Sequence, residues 1–171
     1  MKAFSEYFGQ TLEIVTPSCF KSNYNLVANG MTICSLRSIN FWCTRYEVDG
    51  FGKKWEVYSA SVWKGKTEIK ESGKELPIAS YEGSGLKHSG IFTLPRGEKL
   101  NLVFNMWKSF YEIQNETGEV LVRYDNKSFF SSTIVVTMYK KSDLIDKYPF
   151  VIMVPFLIST QRKHAAAAVT H

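Results

Sequence analysis

The sequence is poor in the residues from which metal sites and thiol chemistry are built. Cysteine occurs three times, at Cys19, Cys34 and Cys43. An odd count without Cys-x-x-Cys spacing argues against both a disulfide framework and a zinc site. Free thiols in a reducing compartment are expected instead. Histidine is equally scarce. His164 and His171 fall in the terminal stretch, which leaves His88 as the one histidine of the body. It stands in Gly85-Leu-Lys-His-Ser-Gly90, a glycine-flanked segment that reads as an exposed loop. Covalent catalysis needs a nucleophile with a base in reach, and nothing in the spacing pairs His88 with Cys34 or Cys43. Gly83, Gly85 and Gly90 do not make the GxxxxGK[ST] loop that cradles phosphates. Glu112, Glu116 and Glu119 flank one hairpin turn, where exposed charge is the ordinary state. No basic–aromatic RNA motif is present, and no acidic cluster has calcium-ligand spacing. The chain is therefore expected to be no enzyme, to carry no metal or cofactor, and to bind no nucleic acid.

Long apolar runs are also missing, with one short exception. Tyr148 to Thr160 is almost wholly apolar and lacks both turn punctuation and β-alternation. A bilayer span needs roughly 20 residues, so this segment is too short to cross a membrane. A segment apolar on every side must then be buried in protein. Its candidate core comprises Phe150, Val151, Ile152, Met153, Val154, Phe156, Leu157 and Ile158. The first ten residues hold no signal-peptide h-region, and the expected location is cytoplasmic.

The remainder of the chain reads as β structure. Aromatics make up 15% of the residues and recur within alternating segments, as suits a pleated surface. Asp49-Gly50 with Gly52, Lys64-Gly65-Lys66, Ser72-Gly73-Lys74, Arg96-Gly97-Glu98 and Asn115-Glu-Thr-Gly118 punctuate it as hairpin turns. In residues 54–63, Trp55, Val57, Ser59, Ser61 and Trp63 share one face, with Lys54 and Glu56 on the other. In residues 99–107, Leu100, Leu102, Phe104 and Met106 share a face. Residues 133–139 are rich in β-branched side chains and read as a further strand. Roughly ten to twelve strands are expected on this pattern. Ser142-Asp143 can cap a helix. Pro155 should kink or end any continuous helix through the apolar run, so two helical pieces, or a helix and a strand, are open, with the helix favoured. The domain is expected to span 1–163, with an irregular tail over 164–171.

Three stretches carry a resemblance to a known fold. They are Trp107 to Arg123, with its aromatic-x-Ile-x-Asn-x-x-Gly-x-Val hairpin, the strand–turn–strand of Ile91 to Leu100, and the apolar segment after Lys141. Together they resemble the tubby C-terminal-like superfamily, which includes tubby proteins, phospholipid scramblases, plant LURP-one-related proteins and small bacterial relatives. The resemblance implies an all-β barrel of about twelve strands enclosing a hydrophobic C-terminal helix. Tubby proteins bind phosphoinositide headgroups through surface basic residues. No basic pair here matches theirs, so none is carried over, and the scramblase calcium segment has no counterpart.

Formal net charge is +5, which permits binding to anionic surfaces. The expected function is non-enzymatic binding at an anionic phospholipid surface or to an acidic protein, through the turn lysines Lys53, Lys54, Lys64 and Lys66. The alternative is a lipocalin-like carrier of a small apolar ligand, with an uncharacterised hydrolase as a distant third. The apolar segment separates the first two, because a barrel it fills has no room for a ligand. Monomer and homodimer both remain open.

Overall fold

Alternation of buried and half-exposed residues sets the architecture. In a computed structural model, residues 2–17, 23–59, 66–84, 89–105, 107–126 and 133–169 are described, the side chains of 162–169 excepted. Twelve strands follow one another: β1 (Leu12–Val15), β2 (Asn23–Ala28), β3 (Met31–Ser38), β4 (Arg45–Gly50), β5 (Lys53–Ser59) and β6 (Lys66–Glu71), then β7 (Ala79–Ser84), β8 (Ser89–Thr93), β9 (Lys99–Asn105), β10 (Phe110–Gln114), β11 (Val120–Asn126) and β12 (Ile134–Met138). Each pairs antiparallel with its neighbour in sequence, and β1 pairs β12 through Leu12↔Val136 and Ile14↔Ile134. The sheet is thereby a closed barrel without an edge.

One face of every strand is buried. Trp55, Val57 and Ser59 are buried on β5, and Leu100 and Leu102 on β9, where Phe104 is partly buried. These are the faces the alternation in sequence selects. The Asn115–Gly118 turn forms as the sequence predicts: Gly118 has φ 84°, and Asn115 Oδ1 accepts from the backbone N–H groups of Thr117 and Glu119.

One turn differs from its expectation. Asp49 and Gly50 remain in β4, and positive φ falls on Phe51 (51°) and Gly52 (73°). Gly50 has another role. A Cβ placed there would lie 2.9 Å from the Cα of Cys34 on the paired strand β3. The glycine permits close approach of two strands and does not make the bend.

After β12 the period changes. Ser142 caps helix α1 (Asp143–Lys147), its Oγ accepting from the N–H of Ile145 at 3.4 Å. A 3-10 turn over Pro149–Ile152 follows, then helix α2 (Val154–Val169). The apolar run is thus helical in two pieces. Pro155 lies in the first turn of α2, where its missing N–H costs no helical bond, so the break falls at Met153, ahead of the proline. The backbone of α2 stays helical to Val169, beyond residue 164 where an irregular tail is expected from sequence; four consecutive alanines, the best helix formers, suit that path. The N-terminal 3-10 turn (Phe4–Tyr7) is tied to α1: Asp146 accepts from Ser5 N at 2.8 Å and from Ser5 Oγ at 2.5 Å.

Phe150 to Val154 are fully buried, and Phe156, Leu157 and Ile158 nearly so. Rings and hydroxyls from several strands touch this segment. Trp55 of β5 meets Phe150 edge-on at 5.5 Å, and Tyr24 of β2 meets Phe156 at 4.6 Å. Tyr124 Oη of β11 donates to the carbonyl of Ile152 at 2.9 Å. Ser59 Oγ of β5 donates to Gln161 Oε1 at 3.2 Å.

Candidate binding surface

The outward positions of the strands are charged. Arg37, Glu47, Lys54, Glu56 and Lys70 form ion pairs across β3, β4, β5 and β6, including Arg37–Glu47 at 2.6 Å and Lys70–Glu56 at 3.1 Å. An arginine or lysine of this kind would cost roughly 2–4 kcal/mol if turned to hydrocarbon at mid-bilayer, and a glutamate less. No helix among the described residues is long and apolar enough to cross a membrane.

Of the four lysines singled out in the sequence, the three that are described do not form one site. Lys53 and Lys54 open β5 beside the Phe51–Gly52 turn, and Lys66 opens β6 at the far end of the same hairpin. Lys64 lies outside the described residues. Lys54 pairs with Asp49 at 3.0 Å and Lys66 with Glu68 at 3.2 Å. Both side chains remain about half exposed, and neither ion pair on this exposed surface is worth more than about 1 kcal/mol.

The sequence reading missed a different set of residues. The β3–β4 connection exposes Phe41 (91%) and Trp42 (79%), whose rings meet edge-on at 5.5 Å. The β9–β10 connection exposes Trp107 (99%) next to the exposed Lys108. Each tip is held by an asparagine. Asn40 Oδ1 accepts from Thr44 N at 3.1 Å and Arg45 N at 3.0 Å, while its Nδ2 donates to Thr44 Oγ1 at 2.8 Å. Asn105 Oδ1 accepts from Lys108 N at 3.0 Å, and Asn126 Nδ2 donates to Ser109 O at 3.0 Å. Cys43 and Ser109 take left-handed backbone conformations in these turns, at φ 51° and 53°. Hydrogen bonds and an unfavourable backbone geometry are thus spent on turns that keep large rings in water.

Groups suited to reaction chemistry are placed differently. Cys34 is buried, and its thiol is pushed up to about 12, first by burial and then by the Asp49 carboxylate. It stays a thiol at neutral pH, which disqualifies it as a nucleophile. His88 and Cys19 lie outside the described residues. Among the described residues no group of three or more His, Cys, Asp or Glu could hold a metal ion. Burial also raises Tyr24, Tyr46, Tyr111 and Tyr124 above the usual phenol range. A depression on the outer wall between Arg45, Tyr58, Glu68 and Pro77 holds about 160 Å³, below the roughly 300–1,000 Å³ of ordinary ligand pockets.

Comparison of the chain with protein-family models, with curated proteins and with solved structures finds no match.

Proposed function

We propose that this chain is a non-enzymatic binding domain of the tubby C-terminal-like plan, a barrel filled by its own C-terminal segment, whose outside binds an anionic phospholipid surface. One observation carries the filled barrel. The segment 150–158 is touched at Phe150 by β5 and at Ile152 by β11. In the closed order, β6 to β10 stand between those strands on one side and β12, β1, β2, β3 and β4 on the other. The two strands therefore face each other across the barrel. A segment that reaches both, and that β2 touches from between them, supports a filled lumen. A lipocalin-like carrier needs that space for its ligand, so the filled lumen moves binding to the exterior.

Two features of that exterior favour lipid. The chain is basic, with net charge +5, and near an anionic leaflet each cation contributes about 1 kcal/mol. Its most exposed large apolar side chains include two tryptophans, a residue type that favours the headgroup region of a bilayer. Co-sedimentation with phosphatidylcholine vesicles, with and without phosphatidylserine, tests this reading. Pelleting only with the anionic vesicles, weakened as salt rises, is expected. Protein that stays in the supernatant of both at low salt would overturn it.

A further inference from the structure

We infer that one end of the barrel is the membrane-contacting face, and that it docks by inserting the aromatic tips Phe41–Trp42 and Trp107 from opposite sides of the barrel mouth. This inference rests on the lipid reading above and assigns the residues and orientation of that contact.

Strand direction supplies the first argument. In an up-and-down barrel, connections alternate between the two ends. The connections β1–β2, β3–β4, β5–β6, β7–β8, β9–β10 and β11–β12 share one rim, and the other connections between strands share the opposite rim. Phe41, Trp42 and Trp107 all belong to the first rim. Between the β3–β4 and β9–β10 hairpins stand β5 to β8 on one side, and β2, β1, β12 and β11 on the other. The two tips therefore face each other across the mouth. A twelve-strand wall with strands about 4.8 Å apart and tilted about 40° places them roughly 20 Å or more apart. Two anchors at that separation fix the axis of the barrel relative to a plane. A single exposed ring would be unremarkable on a soluble protein. The pair is informative because both tips are held by asparagine hydrogen bonds and both occur on one rim.

Charge supplies the second argument. Among the described residues, the connections of this rim (16–17, 39–44, 107–109 and 133) contain no Asp or Glu. Glu75, Glu98, Glu116 and Glu119 all stand in connections of the opposite rim. Lys108 follows Trp107 directly, and the exposed Arg45 flanks the Phe41–Trp42 tip, as does Arg37, whose charge is paired with Glu47 at 2.6 Å. Rings on connections without acids, next to Lys108 and Arg45, match an anionic headgroup layer, where the ring sits at the level of the headgroups and the cation meets phosphate or carboxylate. The opposite rim also exposes Met31 and Leu76, and Leu76 follows Glu75, a charge that such a surface repels. A groove for a protein partner would be concave. These rings instead stand on separate hairpins, more than three-quarters exposed.

The test uses the full chain and vesicles of phosphatidylcholine with phosphatidylserine. Phe41→Ala combined with Trp42→Ala, and separately Trp107→Ala, should each weaken vesicle binding roughly tenfold or more, as expected for losing a buried aromatic anchor. Neither variant should change the melting temperature, because the rings make no core contact. Vesicles brominated along the acyl chain should quench the fluorescence of the parent protein, and each variant should lose part of that quenching. If the parent pellets with the vesicles and both variants pellet equally well, the rim assignment is wrong while the lipid reading stands. If the parent itself fails to pellet, the lipid reading falls, and the rim assignment falls with it.

Discussion

Tyr111 and Tyr124 oppose each other on β10 and β11, with rings stacked 4.4 Å apart at 11°. Both are buried, and burial raises both phenols. Their hydroxyls differ in what they do. Tyr124 satisfies the Ile152 carbonyl, at the junction where the 3-10 turn gives way to α2. Tyr111 Oη is buried with no partner among the described residues. Removing one partner of a buried hydrogen bond leaves the other unsatisfied at about 1–3 kcal/mol, whereas removing an unpartnered hydroxyl relieves a desolvation cost. Tyr124→Phe should therefore destabilise by about 1–3 kcal/mol, and Tyr111→Phe should be neutral or stabilising. Urea denaturation of the two variants checks this, and the opposite ranking would contradict it.

At the scale of elements, the strands were legible and their joints less so. Alternation identified the buried faces of β5 and β9 because a half-buried strand repeats every two residues. The turn after β4 was displaced by two residues. Asp-Gly reads as a turn signal wherever it occurs, but Gly50 is required by the close approach of Cys34 on β3, which only the pairing reveals. The apolar terminal segment was recognisable as core from its length and lack of period. Its division at Met153 was not, since a proline in the first turn of a helix and one that breaks a helix look alike in sequence. This segment contributes eight buried apolar side chains between Phe150 and Ile158. At roughly 2–5 kcal/mol for each large side chain lost, their total exceeds the 5–15 kcal/mol stability of a typical domain. Deleting residues 143–171 should leave protein that is insoluble or melts without a cooperative transition. A sharp thermal melt near that of the full chain would contradict this.

For the whole molecule, closure of the sheet decides what can be neighbours. Lys54 and Lys66 read alike in sequence as turn lysines, yet the length of the β5–β6 hairpin separates them. Trp42 and Trp107 are distant in sequence, yet alternation of strand direction brings them to one rim. No local motif could have indicated that rim, because it depends on strand count and parity. The same closure makes the central claim testable. If segment 150–158 fills the lumen, its neighbours must come from both sides of the barrel at once. Nuclear Overhauser spectroscopy of the full chain measures this directly. The account predicts cross-peaks from Phe150 to the Trp55 indole and from Ile152 to the Tyr124 ring in a single species. Contacts to only one of these strands, together with fast amide exchange through 150–158, would place the segment outside the barrel and contradict it.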